Sequence, residues 1–284
     1  MKRIIFTFSI FFSLFVNAQQ AKFLKINKYQ IAVLSDSLQE NSGLDFFEGK
    51  LFTLNDGGNT SELFQLNLKT GKIENKISTN NINNDWESLT NDGESFYIGD
   101  FGNNAGNRKD LKVLKVRENN FQEISFYYPE QTEFNSKNKK TNFDGEAMVY
   151  FKGKLHLFTK EWSSNSTAHY TLDPKNFEFQ NAEKVEVFTT DFMVTDASIY
   201  DDTLYLVGYS RVGDVYLQIF PNSRSDLFFN VNYKKYYLGN ALNIGQIEGI
   251  AVNGNGIYLS GERFKTPISN LPPKLFFIPK EKLK

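Results

Sequence analysis

The chain contains no cysteine. A disulfide framework and a lipidated N-terminal cysteine are therefore both excluded. A chain of 284 residues can bury enough apolar surface to be stable without such cross-links. Histidine is also scarce: only His156 and His169 are present, so a zinc site has few ligands from which to form. His156 alternates with Leu155 and Leu157, and we interpret it as a structural residue without a companion.

Other common features are absent as well. Lys and Arg total 32 against 33 Asp and Glu, so the charge balance gives no reason to expect binding to nucleic acid or to an anionic membrane. The chain has no Gly-x-Ser-x-Gly motif and no glycine-rich phosphate loop before a helix. No apolar run reaches the roughly 20 residues that a membrane-spanning helix needs.

The N-terminus has the parts of a secretory signal peptide. A basic Met1-Lys2-Arg3 precedes a short apolar run, and the small residue Ala18 precedes a polar chain. We place cleavage after Ala18 and expect residues 19–284 to form one secreted or periplasmic domain without a membrane span. An uncleaved membrane anchor is the alternative. We further expect a monomer whose partner is a small ligand or an envelope protein.

The remaining chain repeats a plan of short strands and tight turns. It is rich in Phe (28) and Tyr (14), and Asn and Gly occupy the gaps between apolar segments. One apolar segment of each repeat begins at Leu44, Leu89, Met148, Ala197 and Ile250. A second begins seven residues later, at Leu51, Phe96, Leu155, Leu204 and Ile257. Intervals of about 45 to 60 residues, each with room for four strands, are typical of propeller blades.

The repeat predicts an all-β protein, a β-propeller of five blades with four antiparallel strands each. Six blades are the alternative, because the interval between Leu89 and Met148 is the longest. We interpret the polar segment 131–141 within that interval as a loop insertion. The last repeat is one strand short, and an isolated N-terminal strand near Ile31 is expected to complete it and close the ring.

Acidic residues recur at a fixed register before the inner strands. Two positions before each first apolar residue lie Ser42, Glu87, Glu146, Thr195 and Glu248. The innermost strands line the channel of a propeller, so equivalent positions converge. Clustered carboxylates must bind a cation, pair with Lys or Arg, or hold protons. Oxygen ligands in an irregular ring favour calcium, and the predicted metal ligands are Glu40, Asp85, Glu87, Asp144, Glu146 and Glu248. Turn formation by these side chains is the alternative.

A second set of polar residues follows later apolar strands. Asp56-Gly57-Gly58-Asn59 and Asp100-Phe101-Gly102-Asn103 share the pattern Asp-x-Gly-Asn, and later repeats carry other charged residues there. We interpret this set as a candidate ligand- or cofactor-binding ring: Asp56, Asp100, Lys160, Tyr209, Arg211, Glu262 and Arg263. Because an inner strand of about seven residues spans roughly 23 Å, we expect the two sets at opposite ends of the channel.

Several of these segments resemble a known group of proteins. The segments are Asp85-Trp86-Glu87, residues 99–104, Asp144-Gly145-Glu146-Ala147 and Ile247-Glu248-Gly249-Ile250. They are similar to segments of the secreted propellers grouped with SdiA-regulated proteins and esterase-like phytase domains, and the resemblance covers nearly all of the mature chain. It implies calcium as the central ion and a phosphate ester as a substrate. Calcium-dependent phytases have a denser acidic rim with more basic residues, so no catalytic residue is assigned.

Three functions follow from these patterns. The leading hypothesis is a secreted or periplasmic propeller that binds calcium or a small ligand on its axis as a binding or scaffold module. The alternative is a calcium-dependent hydrolase of phosphate esters, in which the ion polarises the phosphoryl group. A third is a structural propeller that uses loops such as 131–141 for interactions. The sequence leaves open whether the protein is an enzyme.

Overall fold

The computed structural model describes residues 20–118, 120–134, 140–221, 226–267 and 269–283. The predicted signal peptide, residues 1–18, and residues 135–139 of the predicted loop insertion lie outside this part. Within the described ranges, no helix combines the length and the apolar character that crossing a membrane requires.

The N-terminal segment contributes two strands that join sheets formed much later in the chain. They are separated by a 3₁₀ turn at Ile26–Tyr29, and a second turn at Asp36–Leu38 leads into the first blade. The two strands are β1 (Lys22–Phe23) and β2 (Gln30–Val33).

Blades 1 and 2 are antiparallel meanders. Blade 1 contains β3 (Asn41–Phe47), β4 (Lys50–Asn55), β5 (Glu62–Leu66) and β6 (Ile73–Ser78). Blade 2 contains β7 (Trp86–Asn91), β8 (Phe96–Asp100), β9 (Lys112–Arg117) and β10 (Asn120–Tyr127).

Blades 3 and 4 repeat the plan, with one short strand, β14 (Gln180–Asn181), inserted in the sequence of blade 3. Blade 3 contains β11 (Gly145–Phe151), β12 (Lys154–Thr159), β13 (Ser166–Leu172) and β15 (Glu183–Thr189). Blade 4 contains β16 (Met193–Tyr200), β17 (Thr203–Tyr209), β18 (Asp214–Phe220) and β19 (Lys234–Asn240).

Blade 5 is assembled from both ends of the chain. A one-turn helix α1 (Ala241–Ile244) precedes β20 (Ile247–Asn253) and β21 (Gly256–Gly261). A small hairpin, β22 (Phe264–Thr266) and β23 (Ser269–Leu271), then leads to β24 (Lys274–Pro279). The outermost strand is β2, which pairs antiparallel with β24. The predicted closure of the last blade by an N-terminal strand is confirmed.

The five blades form a closed ring. The innermost strands contact one another in the order β3, β7, β11, β16, β20 and back to β3. The predicted five-bladed β-propeller of four-stranded antiparallel sheets is therefore confirmed. Blades 2 and 4 each gain a two-residue parallel strand that the sequence did not reveal, since β14 pairs with β10 and β1 pairs with β19. These additions cover sheet edges that would otherwise be open to association.

Packing between neighbouring blades supplies the core. Val207 and Leu217 of blade 4, for example, belong to the same buried cluster as Ile250 and Leu259 of blade 5. Each inter-blade cluster joins the facing apolar sides of two sheets, because strand residues alternate between faces. Burial of apolar surface stabilises a fold by about 25 cal/mol per Å², so the ring is held mainly by these face-to-face contacts.

Every inner strand has a β-bulge near its start. The unpaired bulge residues are Gly43, Glu87, Glu146, Thr195 and Glu248. A bulge turns a side chain out of the regular alternation, which re-aims the three glutamates. Blade 1 departs from the predicted register by one residue, because Gly43 rather than Ser42 holds this position. Gly43 has φ +62°, and a Cβ there would lie 2.8 Å from the Leu89 nitrogen, so the site requires glycine.

A hydrogen-bonded hub fills the middle of the channel. The axial edge of each inner strand has no neighbouring strand, so its amides need side-chain acceptors. The fully buried Asp196 carboxylate accepts from the Leu44 amide (3.2 Å) and the Ile250 amide (2.8 Å). Ser88 Oγ donates to Asp196 (3.4 Å) and accepts from the Met148 amide (2.9 Å). This axial hub, residues 44, 88, 148, 196 and 250, draws on all five blades.

The two histidines form a buried pair. His156 Nδ1 lies 2.8 Å from His169 Nε2, and His169 Nδ1 lies 3.2 Å from Glu186 Oε1. The interpretation that His156 has no companion is therefore wrong: strands β12 and β13 are neighbours, and pairing across them brings the two imidazoles together. Neither residue lines the cavities described below.

Candidate functional site

The two predicted sets of polar residues meet at the same end of the channel. The Asp56 amide donates to the Glu40 carbonyl oxygen (2.8 Å), and the Glu262 amide donates to the Gln246 carbonyl oxygen (3.0 Å). The expectation of opposite ends is wrong, because the second set follows the second strand of each blade rather than the inner one. In an antiparallel hairpin, the end of one strand lies beside the start of the other.

A polar cavity of about 150 Å³ lies at this end, and we call it the axial cavity. Eight of the predicted site residues line it: Glu40, Asp56, Glu87, Glu146, Lys160, Tyr209, Glu248 and Glu262. Six of them carry carboxyl groups and only Lys160 carries a positive charge. At about 30 Å³ per water, the cavity has room for an ion with several waters or for a small polar group.

Three carboxylates at one side of the cavity lie close together. Asp56, Asp85 and Glu87 each offer an oxygen, and these oxygens lie within 4.8 Å of one another. We call them the carboxylate triad. Gly102 packs against it: a Cβ there would lie 2.5 Å from Asp85 Oδ2 and 2.6 Å from Glu87 Oε1. The glycine of the Asp-x-Gly-Asn motif thus lets the backbone approach the triad closely.

The triad is electrostatically strained. Burial raises the pKa of Asp56 to about 7, and the charge of Asp85 adds to the shift. Burial also raises the pKa of Asp85 to about 6, although Arg108 opposes the change. Burial and the charge of Glu146 raise the pKa of Glu87 well above its usual value. Such groups hold protons near neutral pH unless a cation compensates their charge.

Lys160 already supplies one buried cation. Its Nζ lies 2.9 Å from Glu146 Oε1. The same Nζ lies 5.1 Å from the ring centroid of Trp162 and 5.5 Å from that of Tyr209. Burial acts against the ammonium, yet the charge of Glu146 keeps the pKa of Lys160 well above its usual value. Glu146, predicted as a metal ligand, is thus paired with Lys160, one of the outcomes expected for clustered carboxylates.

Asp100 does not line the axial cavity. It is fully buried and accepts from Arg108 Nη2 (2.9 Å) and Asn84 Nδ2 (2.9 Å). The same guanidinium lies 3.9 Å from Asp85 Oδ2 of the triad. Arg108 was not identified from the sequence, because nothing in its spacing shows that the loop after β8 folds back on Asp100.

Besides Asp100 and Asp85 of the triad, three predicted residues are not part of the lining of the axial cavity. Asp144 is fully buried, and its carboxylate accepts from Trp162 Nε1 (2.7 Å). Arg263 pairs with Asp36, and Arg211 lines a neighbouring groove, where its guanidinium donates to the Trp162 carbonyl oxygen. Trp162 lines both the axial cavity and this groove, and the sequence pattern indicates it only as a neighbour of charged residues.

Asn41 is a further lining residue that the sequence did not reveal. Its side chain is fully buried, and its Nδ2 donates to the carbonyl oxygens of Leu38 (2.9 Å) and Gly261 (3.0 Å). Its Oδ1 has no hydrogen-bond partner in the described part of the chain. An unpaired buried acceptor is costly, and this one belongs to a residue of an acidic cavity.

Comparison with known proteins bears on the fold. No protein-family model matches the chain, and no curated protein matches it in sequence. Among solved structures it is similar to the β-propeller domain of Myceliophteria thermophila Cps50 (Swd1), with a TM-score of 0.39 and 12% identity over 78% of this chain and 66% of that chain. It is also similar to a proposed 6-phosphogluconolactonase from Bacteroides uniformis, with a TM-score of 0.38 and 11% identity over 88% and 72% of the chains. The matched region spans slightly under two thirds of the first protein. At these identities the similarity concerns the β-propeller fold alone.

Proposed function

We propose that this protein is a binding module that takes up a calcium ion at the carboxylate triad. The supporting observation is the approach of three carboxylate oxygens to within 4.8 Å at the edge of the axial cavity. Calcium accepts six to eight oxygen ligands in flexible geometry, at roughly 2.3–2.6 Å. The remaining ligands would be waters and neighbouring carbonyl or carboxyl oxygens. A bound divalent ion would also relieve the repulsion that raises the pKa values of the triad.

The charge around the cavity favours a cation. Six lining carboxyl residues face one lining lysine, and that lysine is paired with Glu146. The unpaired Oδ1 of Asn41 is an amide oxygen, a ligand type that calcium uses. If the predicted signal peptide directs the chain out of the cytoplasm, an affinity of about 10⁻⁴–10⁻³ M, as in extracellular calcium modules, is sufficient. We infer a binding or scaffold role at the cell envelope.

The geometry favours binding over hydrolysis of phosphate esters, the alternative that the resemblance implies. Besides the calcium ion, such a reaction uses cationic side chains to hold the phosphoryl oxygens. Among the described residues that line the axial cavity, Lys160 is the single basic one, and Glu146 holds it. Arg263 is paired with Asp36 outside the cavity. Calcium-dependent turnover of a phosphomonoester, lost in the triad variants below, would establish the alternative instead.

The test combines elemental analysis with thermal melting in calcium and in a chelator. We expect about one calcium per chain, and at 100 times Kd a stabilisation of about 2.7 kcal/mol. The variants Asp85→Asn and Glu87→Gln should abolish both the bound calcium and the melting shift. Glu94→Gln, which alters an exposed carboxylate in the turn after β7, is the matched control and should change neither. No bound calcium and an unchanged melting temperature in the wild-type protein would refute the proposal.

A further inference from the structure

A groove opens beside the axial cavity at the same end of the propeller. It encloses about 420 Å³ and shares the wall formed by Trp162, Tyr209 and Gln246 with the axial cavity. Phe264 and Leu242 form part of its apolar lining. Leu242 is 43% exposed, and Val212, another lining residue, is 75% exposed. The acidic cavity and a groove of mixed apolar and polar lining therefore adjoin along the three shared residues.

Glu262 lies close in sequence to the lining of the groove. It lines the axial cavity, while Phe264, two residues later, lines the groove. Its carboxyl group has no hydrogen-bond or ion-pair partner among the residues that the structure describes. Burial and the charges of Glu248 and Asp56 raise the pKa of Glu262 to about 9, and the charge of Lys160 offsets this increase only in part. A further positive charge is favourable at this point.

We propose that the axial cavity and the groove together bind a primary amine with an apolar body, such as the N-terminal residue of an apolar peptide. The ammonium group lies beside Glu262, and the apolar body lies between Phe264, Leu242 and Trp162. The inference rests on the proposed cation binding at this end of the channel, because the same carboxylates attract both cations. The carboxylate triad belongs to blades 1 and 2, whereas Glu262 follows β21 of blade 5, so calcium and the amine use different oxygens.

The aromatic rings of the shared wall already contact one ammonium group, that of Lys160. Lys160 Nζ already lies 5.1 Å from the Trp162 ring centroid and 5.5 Å from that of Tyr209, as in cation–π contacts. An anionic ligand would instead face the six lining carboxyl residues, and the basic residues in the described lining are Lys160, which is paired with Glu146, and Arg211 of the groove.

Tryptophan fluorescence gives a direct assay. The chain has two tryptophans: Trp86 is fully buried, and Trp162 lines the groove. We would titrate the purified protein in chelator with leucinamide, which carries an ammonium group, and with N-acetylleucinamide, which is neutral. We expect leucinamide to bind at least tenfold more tightly. Equal affinities would overturn the proposal, and so would tighter binding of the anion N-acetylleucine, which would point to Arg211.

Variants separate this inference from calcium binding. Phe264→Ala should weaken leucinamide binding at least fivefold while leaving the calcium-dependent melting shift unchanged. Glu262→Gln should remove the preference for leucinamide over its acetylated form. Phe179→Ala, at an exposed phenylalanine outside the groove, is the matched control and should change nothing. If calcium fails to bind but the leucinamide preference persists, the calcium proposal alone is refuted. If calcium binds and the preference is absent, this inference alone is refuted.

Discussion

Replacing Asp196 by alanine should destabilise the propeller more than any other single change in the channel that we consider. Asp196 is fully buried in the axial hub, where it accepts from the amides of Leu44 and Ile250 and from Ser88 Oγ. These donors come from blades 1, 5 and 2. Because they lie on the axial edges of the inner strands, no neighbouring strand can replace the lost acceptor.

The size of the effect follows from the groups left behind. Each buried donor that loses its acceptor costs about 1–3 kcal/mol, so the two amides together cost about 2–6 kcal/mol. The substitution also removes a carboxyl group that is costly to bury, as the increase of its pKa well above the usual value indicates. This gain offsets part of the cost of the unpaired amides. We therefore expect a net loss of about 2–4 kcal/mol in the free energy of unfolding. For Asp196→Asn we expect a much smaller loss, since both amides donate to the same oxygen, Oδ2, which the oxygen of the Asn amide can replace.

Chemical denaturation measures the change directly. Ser198→Ala is the matched control in the same channel, since Ser198 Oγ accepts from one amide only, that of Val252 (3.2 Å). The control should lose about 1 kcal/mol. The role of Asp196 as a shared acceptor is refuted if Asp196→Ala unfolds within about 0.5 kcal/mol of the wild-type protein, the range of an ordinary surface substitution. It is refuted equally if Asp196→Asn is the more damaging of the two.

Two further predictions concern single residues. Gly43→Ala should lower the free energy of unfolding, measured by chemical denaturation, by about 1–3 kcal/mol. Gly49→Ala should lower it less, because Gly49 also has a positive φ (+74°) but no atom lies within 4 Å of the added Cβ. Equal costs would mean that the contact with Leu89 is unimportant. Burial, reinforced by the charge of His169, lowers the pKa of His156 to about 4, so folding disfavours its protonation. The contribution of His156 to stability should therefore decrease as the pH falls from about 6.5 to about 4, by up to roughly 1.36 kcal/mol for each pH unit. The stability of the wild-type protein relative to His156→Gln should fall by this amount, and a difference that does not change with pH would refute this.

The blade count could be predicted because each repeat carries its own local signal. Leu89 and Phe96, for example, lie in adjacent strands of blade 2, and the same spacing recurs in the other blades. The closure by β2 was also predictable, since the last repeat lacked a strand and an unassigned one stood at the N-terminus. Both inferences use only order and spacing along the chain.

The geometry of the site was harder to predict from the sequence because it depends on pairing between strands and on where loops return to the sheet. Asp56 follows β4, and only the antiparallel pairing of β4 with β3 places it beside Glu40. The pairs Lys160 with Glu146 and Arg108 with Asp100 likewise depend on where a loop returns to the sheet. The off-register position in blade 1 reflects the backbone of Gly43, whose positive φ no composition reveals.

The bulge near the start of each inner strand links the fold to the candidate site. It leaves Glu87, Glu146 and Glu248 unpaired at equivalent positions, and all three line the axial cavity. Blades 1 and 4 complete the lining through Asp56 and Tyr209. The cavity thus receives residues from all five blades and exists only while the ring is closed. A cation or amine that binds there binds the folded protein alone, so its affinity adds directly to the stability of the ring.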